Sequence, residues 1–386
     1  MTWQGEEVNL LLAVRRKLIE WQAARILDPI ERLRYLRQHA EPVWVWQRQR
    51  WRTSAWAIAM FMGLMLAGIT ISSINRPVEA LTLQPEPVSR ESFANVWMVD
   101  KAAQVETYSN GLRVETRDAI STVPRASYRV YGRGEVNPAR PEWRSQPAGI
   151  VFHTTESDLA PFEPGQTKQL KRIGVEVLAL IRQKHSYHYM IDRFGRVFRV
   201  VEESDIANHA GNSIWADDRN TFVNLNASFL GVAFETQSKA GGERPTATPA
   251  QIRSGQMLAE MLRTKYHIPK TACVTHAQVS VNPANMLIGY HTDWAGNFPF
   301  LEMGLSDNYE LPPASIWAFG FTYDPTFVES TGMRLWQGVL MAEDRLQRQA
   351  AAQRLSAPRY RLILQQRYRE ISAALKSQAR QQGELE

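Results

Sequence analysis

The chain has 386 residues, a length typical of two or three domains. Hydrophobic residues make up 44% and charged residues 22%, which are ordinary globular values and exclude wholesale disorder and an all-membrane transporter. The formal net charge of +6 permits an anionic partner, but no base-reading motif occurs, so we expect no nucleic-acid partner. Cys273 is the only cysteine, which excludes a Cys-rich zinc cluster and leaves histidine and carboxylate as metal ligands.

Residues 1–52 predict a cytoplasmic helical segment. Leu11, Val14, Leu18 and Trp21 recur at helical spacing, and ten Arg or Lys side chains lie in this stretch. Such helices could bind a partner or a membrane surface, or could form a solvated hairpin beside the membrane. The sequence leaves these alternatives open.

Residues 53–75 predict a transmembrane helix. None of these 23 residues is charged, and about 20 helical residues cross a hydrocarbon core of ~30 Å. A secretory signal peptide would normally begin at the N-terminus, whereas this run starts some fifty residues into the chain. The excess of basic residues before the run places the N-terminus in the cytoplasm. We therefore expect a single-pass inner-membrane protein whose later residues are periplasmic.

Residues 76–145 predict a proline-containing linker followed by a small β-containing segment. Two short β-type runs, 105–108 and 112–115, flank Ser109, Asn110 and Gly111. Because Asn-Gly is a strong signal for a tight hairpin turn, these runs should pair as a β-hairpin.

Residues 146–328 alternate strand-like and helix-like runs, which indicates an α/β domain. Residues 329–386 predict an amphipathic helical C-terminal extension, interrupted near Pro358. Residues 333–386 carry ten Arg or Lys against five acids. This basic surface could contact anionic lipid or wall polymer, and the terminal helices could recruit envelope proteins, although a solvated helical face is the commoner explanation.

Two apolar strand-like runs end in histidine. Residues 149–153 end at His153 and residues 271–276 end at His276, and Asp293 follows downstream. Two strand-end histidines and a carboxylate are the ligand types of an open zinc site, in which water takes the fourth position. A lone strand-end histidine would be weak evidence, so the prediction depends on the three residues together.

The order of the motifs resembles the type 2 N-acetylmuramoyl-L-alanine amidases, the zinc amidase fold shared with peptidoglycan recognition proteins. The resemblance covers roughly residues 146–300, and its joint signal is strong because five motifs occur in the family order. These motifs are His153 at a strand end, residues 186–195 (SYHYMIDRFG), residues 209–213 (HAGNS), residues 226–235 (NASFLGVAFE), and His276 followed by residues 291–293 (HTD).

The resemblance implies a mixed central β-sheet flanked by helices, of the α/β (α+β) class, with a zinc site at the strand ends. It implies Zn²⁺ as cofactor, bound by His153, His276 and Asp293. The catalytic candidates that it implies are Tyr187, Glu235 and His291. The loop that contains His209 and Asn212 would line the substrate groove, and Trp294 could stack on sugar rings or cover the end of the sheet.

Two positions depart from the family pattern. His291 stands where the family has lysine; it could hold an oxyanion, or could itself be the third zinc ligand in place of Asp293. Ala233 stands where many members have their glutamate, and Glu235 follows two residues later on the same face of the strand. Glu235 could therefore be displaced by about 6–7 Å, or could orient a zinc-binding histidine instead.

The resemblance implies that the function is hydrolysis of the amide between N-acetylmuramic acid and L-alanine in peptidoglycan. The outward orientation predicted for residues after 76 agrees with a wall substrate. A peptidoglycan-binding module without catalysis and a membrane-tethered envelope scaffold are the alternatives.

Overall fold

The computed structural model describes residues 91–132, 142–238 and 246–381. The predicted cytoplasmic segment 1–52, the predicted transmembrane helix 53–75 and the linker up to residue 90 lie outside the described residues. Among the residues that are described, no helix combines the length and apolar character needed to cross a membrane. The domain boundaries proposed from the sequence remain predictions.

An eight-stranded mixed sheet forms the centre of the fold, in the order β1-β2-β3-β9-β8-β13-β7-β14. Its middle strands β8, β13, β7 and β14 are parallel to their neighbours in that group, whereas β1, β2 and β3 are antiparallel to one another. The strands are β1 (Met98–Lys101), β2 (Val105–Tyr108), β3 (Arg113–Glu115), β7 (Gly149–Thr154), β8 (Tyr189–Ile191), β9 (Val197–Arg199), β13 (Phe229–Phe234) and β14 (Cys273–Thr275).

Strands β7 and β13 lie at the centre because they are apolar on both faces. All six residues of each strand are buried, as expected for parallel strands covered on both sides. They pair in register from Gly149 with Phe229 to Thr154 with Phe234. A Cβ at Gly149 would lie 2.1 Å from the Phe229 ring, so this close approach requires glycine.

The predicted hairpin is confirmed and belongs to the main sheet. β2 and β3 are antiparallel, and Gly111 in their turn has φ +88°, a conformation that favours glycine. The Asn110 Oδ1 accepts a 3.2 Å hydrogen bond from the Leu112 amide. Because β3 pairs in parallel with β9, the hairpin extends the sheet that carries the candidate site.

A second sheet of four strands, in the order β11-β12-β5-β6, packs beside the first, and two further pairs, β10-β4 and β15-β16, are small. The remaining strands are β4 (Val123–Pro124), β5 (Tyr128–Gly132), β6 (Glu142–Arg144), β10 (Asp205–Ile206), β11 (Ile214–Ala216), β12 (Asn220–Val223), β15 (Val281–Asn282) and β16 (Leu287–Ile288). Strand β5, which lies before residue 146, pairs with β12, which lies after it. The β-containing segment and the α/β region therefore share a sheet.

Helices cover both faces of the main sheet. The α-helices are α1 (Thr167–Gln183), α2 (Pro249–Tyr266), α3 (His276–Val279), α4 (Ala314–Phe319), α5 (Pro325–Ser330), α6 (Gln337–Ala352) and α7 (Ala357–Gln381). Ile181 of α1 packs on Met190, whereas Gly255 of α2 lies against Phe234. Met190 pairs with Ala233, so these two side chains lie on one face of the sheet. Phe234 follows Ala233 and therefore points to the other face. Helices α1 and α2 thus cover opposite faces.

The C-terminal helices pack against the body of the fold. Val339 of α6 and Tyr368 of α7 are buried in one apolar cluster with Trp317 of α4 and Phe327 of α5. The Arg361 Nη1 of α7 donates a 2.6 Å hydrogen bond to the Phe321 carbonyl. The prediction of C-terminal helices is confirmed for residues up to 381, and their apolar side faces the protein. The mixed α/β fold with a central sheet is confirmed as well.

Candidate metal centre

The three predicted metal ligands meet at the carboxyl ends of two neighbouring strands. His153 is the penultimate residue of β7, and His276 directly follows β14 as the first residue of α3. Because β14 pairs in parallel with β7, both strands end at the same edge of the sheet. Asp293 reaches this edge from the segment that follows β16, and the Asp293 carbonyl accepts a hydrogen bond from the Ala277 amide at 3.2 Å.

Both histidines direct Nδ1 at the Asp293 carboxylate. The His153 Nδ1 lies 3.0 Å from the Asp293 Oδ2, and the His276 Nδ1 lies 2.9 Å from the Asp293 Oδ1. One ligand atom from each of the three residues can be chosen so that all lie within 4.8 Å of one another, and all three residues are buried.

The electrostatics of this group suit a cation. Burial lowers the pKa of His153 to about 4, so its imidazole is neutral, as a metal ligand must be. Burial alone would raise the pKa of Asp293, but the neighbouring His276 and His153 outweigh it and hold that pKa well below its usual range. The neutral His153 imidazole and the ionised Asp293 carboxylate are therefore both ready to bind a metal ion.

This donor set fits zinc. Zinc takes imidazole nitrogen and carboxylate oxygen at about 2.0–2.2 Å in tetrahedral geometry, which places ligand atoms roughly 3–3.5 Å apart. The Nδ1-to-carboxylate distances of 2.9 and 3.0 Å are close to that spacing. Three protein ligands leave a fourth tetrahedral position, the pattern of catalytic rather than structural zinc sites.

His209, predicted to line the substrate groove, is buried behind His153 instead. The His209 Nδ1 lies 3.2 Å from the His153 Nε2, on the side of that ring away from Asp293. The His209 Nε2 lies 3.2 Å from the Phe229 carbonyl. Its burial and the neighbouring His153 hold the pKa of His209 well below its ordinary value, so this ring is neutral.

Tyr187, a predicted catalytic residue, lies beside the metal ligands. Its ring centroid is 4.8 Å from that of His153, and its backbone has a positive φ of 59°. Burial, together with the negative charges of Asp293 and Glu156, raises the pKa of Tyr187 well above its ordinary value. The phenol is therefore protonated at neutral pH and can donate a hydrogen bond.

His291 lies next to His276 and is exposed to solvent. Its ring stacks on His276 with centroids 4.6 Å apart, and its amide donates a 2.7 Å hydrogen bond to the Ser280 Oγ. Partial burial and the adjacent His276 lower the pKa of His291, which favours the neutral ring. His291 is exposed, unlike the three clustered residues, so the geometry favours Asp293 over His291 as the third ligand.

Glu235 is buried next to α1. The Glu235 Oε2 accepts a 3.1 Å hydrogen bond from the Arg193 amide, and a Cβ at Gly174 of α1 would lie 3.3 Å from the same oxygen. The Glu235 Oε1 is buried without a hydrogen-bond partner. Burial raises the pKa of Glu235 to about 7. The groups that shift this pKa are Asp192, Arg193 and Arg196, none of which is a predicted site residue.

The two remaining predicted binding residues, Asn212 and Trp294, differ in their exposure to solvent. Asn212 is exposed, and its carbonyl accepts a 2.9 Å hydrogen bond from the Val281 amide. Trp294 is only 3% exposed, and its indole packs against Phe234 and Phe298. This position favours the alternative in which Trp294 covers the end of the sheet.

Glu156 was missed by the sequence reasoning. It follows His153 by three residues, has a φ of 49°, and its Oε1 accepts a 2.7 Å hydrogen bond from the Ser238 amide. Its charge contributes to the raised pKa of Tyr187, so this carboxylate lies near that phenol. The motif pattern holds no signal for Glu156.

Residues 143–293 match the family model described as N-acetylmuramoyl-L-alanine amidase. The match covers less than half of the chain and includes His153, His276 and Asp293. Residues 143–293 are therefore similar to this family, in agreement with the order of the sequence motifs. No curated protein matches the chain significantly.

Several solved structures are similar to part of the chain. The amidase AmiD from E. coli, solved with an anhydro-N-acetylmuramic acid peptide as substrate, is 23% identical; the similarity covers 41% of this chain and 56% of AmiD, with a TM-score of 0.30. AmpDh3 from Pseudomonas aeruginosa, in complex with an anhydromuramic pentapeptide, is 21% identical over 51% of this chain and 84% of its own, with a TM-score of 0.35.

The Drosophila peptidoglycan recognition protein SD is 19% identical over 34% of this chain and 70% of its own, with a TM-score of 0.24. This chain thus spans little more than half the length of AmiD. With TM-scores below 0.5, these similarities identify no function for this chain.

Proposed function

We propose that this protein is a membrane-anchored, zinc-dependent peptidoglycan amidase that hydrolyses the amide between N-acetylmuramic acid and the L-alanine of the stem peptide. The observation that carries the proposal is the buried group of His153, His276 and Asp293, whose ligand atoms lie within 4.8 Å of one another. The match of residues 143–293 to an amidase family supports the substrate class.

His153, His276 and Asp293 would hold the zinc ion, which when bound supplies Lewis acidity toward water and the amide carbonyl. The protonated Tyr187 phenol, close to His153, donates a hydrogen bond to the carbonyl oxygen as negative charge develops there. Pre-aligned donors of this kind are worth about 10²–10³ in rate.

Proton transfer is assigned to His291. Its lowered pKa makes the ring neutral at pH 7, so it can accept a proton from the attacking water. The proton then passes to the departing nitrogen of L-alanine as the amide bond breaks. Glu235 remains the predicted alternative, but its hydrogen bond runs to the Arg193 amide rather than to a residue of the cluster.

The anchor and the location follow from the sequence outside the described residues. The uncharged run 53–75 would cross the inner membrane with the N-terminus in the cytoplasm, so the amidase domain would face the periplasm. Proteolysis of intact spheroplasts tests this orientation. Protection of residues 1–52 and digestion of the C-terminal region are expected, and the opposite pattern would refute it.

A peptidoglycan-binding module without catalysis is the second candidate, and one observation favours it. Ala233, at the family position of the glutamate, pairs in register with His153 and so lies beside the cluster without a carboxylate. Zinc binding and peptidoglycan binding would then persist without cleavage.

The deciding experiment combines zinc analysis with digestion of purified peptidoglycan by the full-length protein. One zinc per chain and the release of stem peptides with a free L-alanine amino group are expected, and both should be lost in Asp293→Ala. Zinc and wall binding without released peptide would replace the proposal by the binding module. Neither zinc nor cleavage would reject the metal site.

A further inference from the structure

His209 lies between the candidate metal centre and the backbone of β13, and it is only 9% exposed. Its ring meets that of His153 edge-on, with centroids 5.3 Å apart. A side chain buried in this way is poorly placed to contact a polymeric substrate. Its two ring nitrogens instead connect a metal ligand to a main-chain carbonyl.

When a metal ion is bound by the His153 Nδ1, which then carries no proton, the hydrogen bonds of His209 permit one consistent arrangement of protons. The Phe229 carbonyl can only accept, so the His209 Nε2, 3.2 Å away, carries the proton and donates it. The His209 Nδ1 of the neutral ring is then an acceptor, and the His153 Nε2, 3.2 Å away, must be the donor. The proton of His153 is thereby fixed on Nε2, which leaves the Nδ1 lone pair for a metal ion held together with Asp293, whose Oδ2 lies 3.0 Å from that Nδ1.

The surrounding backbone holds the His209 ring in place. A Cβ at Gly231 of β13 would lie 2.7 Å from the His209 ring, so the ring occupies space that only glycine leaves free. The Asn226 Oδ1 accepts hydrogen bonds from the amides of His209, at 3.0 Å, and Ala210, at 2.6 Å. The position of the His209 ring is therefore fixed by packing against β13 and by the hydrogen bonds of the loop that carries it.

We propose that His209 is a positioning residue that selects the Nδ1-binding tautomer of His153 and so tightens zinc binding at the cluster. The inference rests on the proposed function, because it concerns the metal that this function requires. Partners that orient a metal-binding histidine typically contribute 10–100-fold to metal affinity.

The test is a matched pair of variants, His209→Asn and His209→Leu, in the full-length protein. The two side chains have nearly the same shape, but asparagine can place its Oδ1 where the Nδ1 acceptor stood, whereas leucine offers no acceptor. Zinc affinity is measured by competition with a chromogenic chelator. We expect His209→Leu to bind zinc about 10–100-fold more weakly than the original protein, and His209→Asn to recover most of that loss.

Two further measurements separate positioning from a general loss of structure. The thermal midpoint of the metal-free protein should fall by a similar amount in both variants, since both lose the ring, while their zinc affinities differ. The visible spectrum of the Co²⁺-loaded protein should change in His209→Leu and be largely restored in His209→Asn. If the His209→Leu variant does not fold, His209→Phe serves as the variant without a hydrogen-bond acceptor at this position.

Equal zinc affinity in the original protein and in the acceptor-free variant would overturn the inference and leave the amidase proposal intact. Equally weak binding in His209→Asn and His209→Leu would also overturn it, because the acceptor would then be irrelevant. Failure of the original protein itself to bind zinc would reject the proposed function and the inference with it. His185→Phe, which changes an exposed histidine, should leave zinc affinity unchanged.

Discussion

Ala233 lies beside His153 in the parallel pairing of β13 with β7, on the same face of the sheet. The position best placed for a general base next to the metal ligands thus carries a methyl group. The carboxylate two residues later, Glu235, lies beyond the end of β13 and packs against Gly174 of α1. An active amidase would need another proton acceptor at this position, which makes His291 the residue to test.

Glu235→Gln should remove a pH-dependent cost of folding. Burial raises the pKa of Glu235 from 4.5 to about 7, so the folded protein retains a proton that the unfolded chain loses between these values. Stability should therefore fall as pH rises from about 4.5 to 7, by up to about 3 kcal/mol. Urea unfolding at pH 5 and pH 8 checks this.

The glutamine variant should lose less stability between the two pH values than the original protein does. The matched control is Glu176→Gln, which changes an exposed carboxylate on α1 and should leave the pH dependence as it was. An unchanged pH dependence in Glu235→Gln would show that this carboxyl titrates normally. Retained amidase activity in the same variant would support His291 as the proton acceptor.

Asp293→Ala and His291→Ala separate the two candidates for the third zinc ligand. Asp293 contacts both ligand histidines at about 3 Å, whereas His291 stacks on His276 and is exposed. Zinc content after dialysis should fall to near zero in Asp293→Ala and stay near one per chain in His291→Ala, while activity is lost in both. The reverse pattern of zinc content would make His291 the ligand.

Tyr187→Phe should slow hydrolysis while leaving zinc binding intact. The variant removes only the phenolic hydroxyl, which the raised pKa keeps protonated. Loss of one oxyanion donor typically lowers kcat by about 10²–10³-fold with little change in KM. Steady-state kinetics on soluble muropeptides measure the effect. A change confined to KM would assign Tyr187 to substrate binding.

Gly231→Ala should displace the His209 ring. The added Cβ would lie 2.7 Å from that ring, and overpacking of this kind typically costs about 1–3 kcal/mol. Gly132→Ala is a suitable control, because no atom lies within 4 Å of the Cβ that it adds. Thermal midpoints and zinc affinities should fall in the first variant and change little in the second. Unchanged zinc affinity in Gly231→Ala would mean that the position of the His209 ring does not affect metal binding.

Arg199→Met should lower the free energy of unfolding, because Arg199 links the β2–β3 hairpin to β9 of the main sheet. The Arg199 guanidinium on β9 donates to both oxygens of Glu106 on β2, at 3.0 and 2.7 Å, and also contacts Glu203. Removing one partner from a buried ion pair costs about 3–5 kcal/mol because the other charges remain buried. Arg172→Met, at an exposed ion pair on α1, should cost less than about 1 kcal/mol in urea unfolding. Equal costs would contradict the buried cluster.

Local patterns were sufficient to predict the two strands that end near His153 and His276. Apolar runs ending in His153 and His276 predict strand ends, and parallel pairing then brings the two residues together. Alternation along β13 predicts that Glu235 shares a face with Ala233, and Glu235 packs against Gly174 of α1, the helix that covers this face. Alternation gives the face of a residue but not its partners, so the hydrogen bond from the Arg193 amide to Glu235 could not be predicted.

The orientation of His209 and the proximity of Glu156 depend on long-range contacts. His209 fits only because Gly231, on another element, has no side chain. Glu156 lies close enough to Tyr187 to raise the pKa of that phenol, and its positive φ is accompanied by a 3.1 Å hydrogen bond from its amide to the Thr236 carbonyl. A single sequence contains the residues involved but not the pairing that brings them together.

The strands before residue 143 have a practical consequence for cloning. β3 covers the outer edge of β9, and β5 completes the sheet of β12. A fragment trimmed to residues 143–293 would expose both edges, and unpaired edges invite aggregation between chains. It would also lack the α4–α7 layer that buries Trp317 and Phe327. If a fragment of that length were insoluble or inactive, the cause would be the loss of these strands and helices, and the result would say nothing about the candidate metal centre.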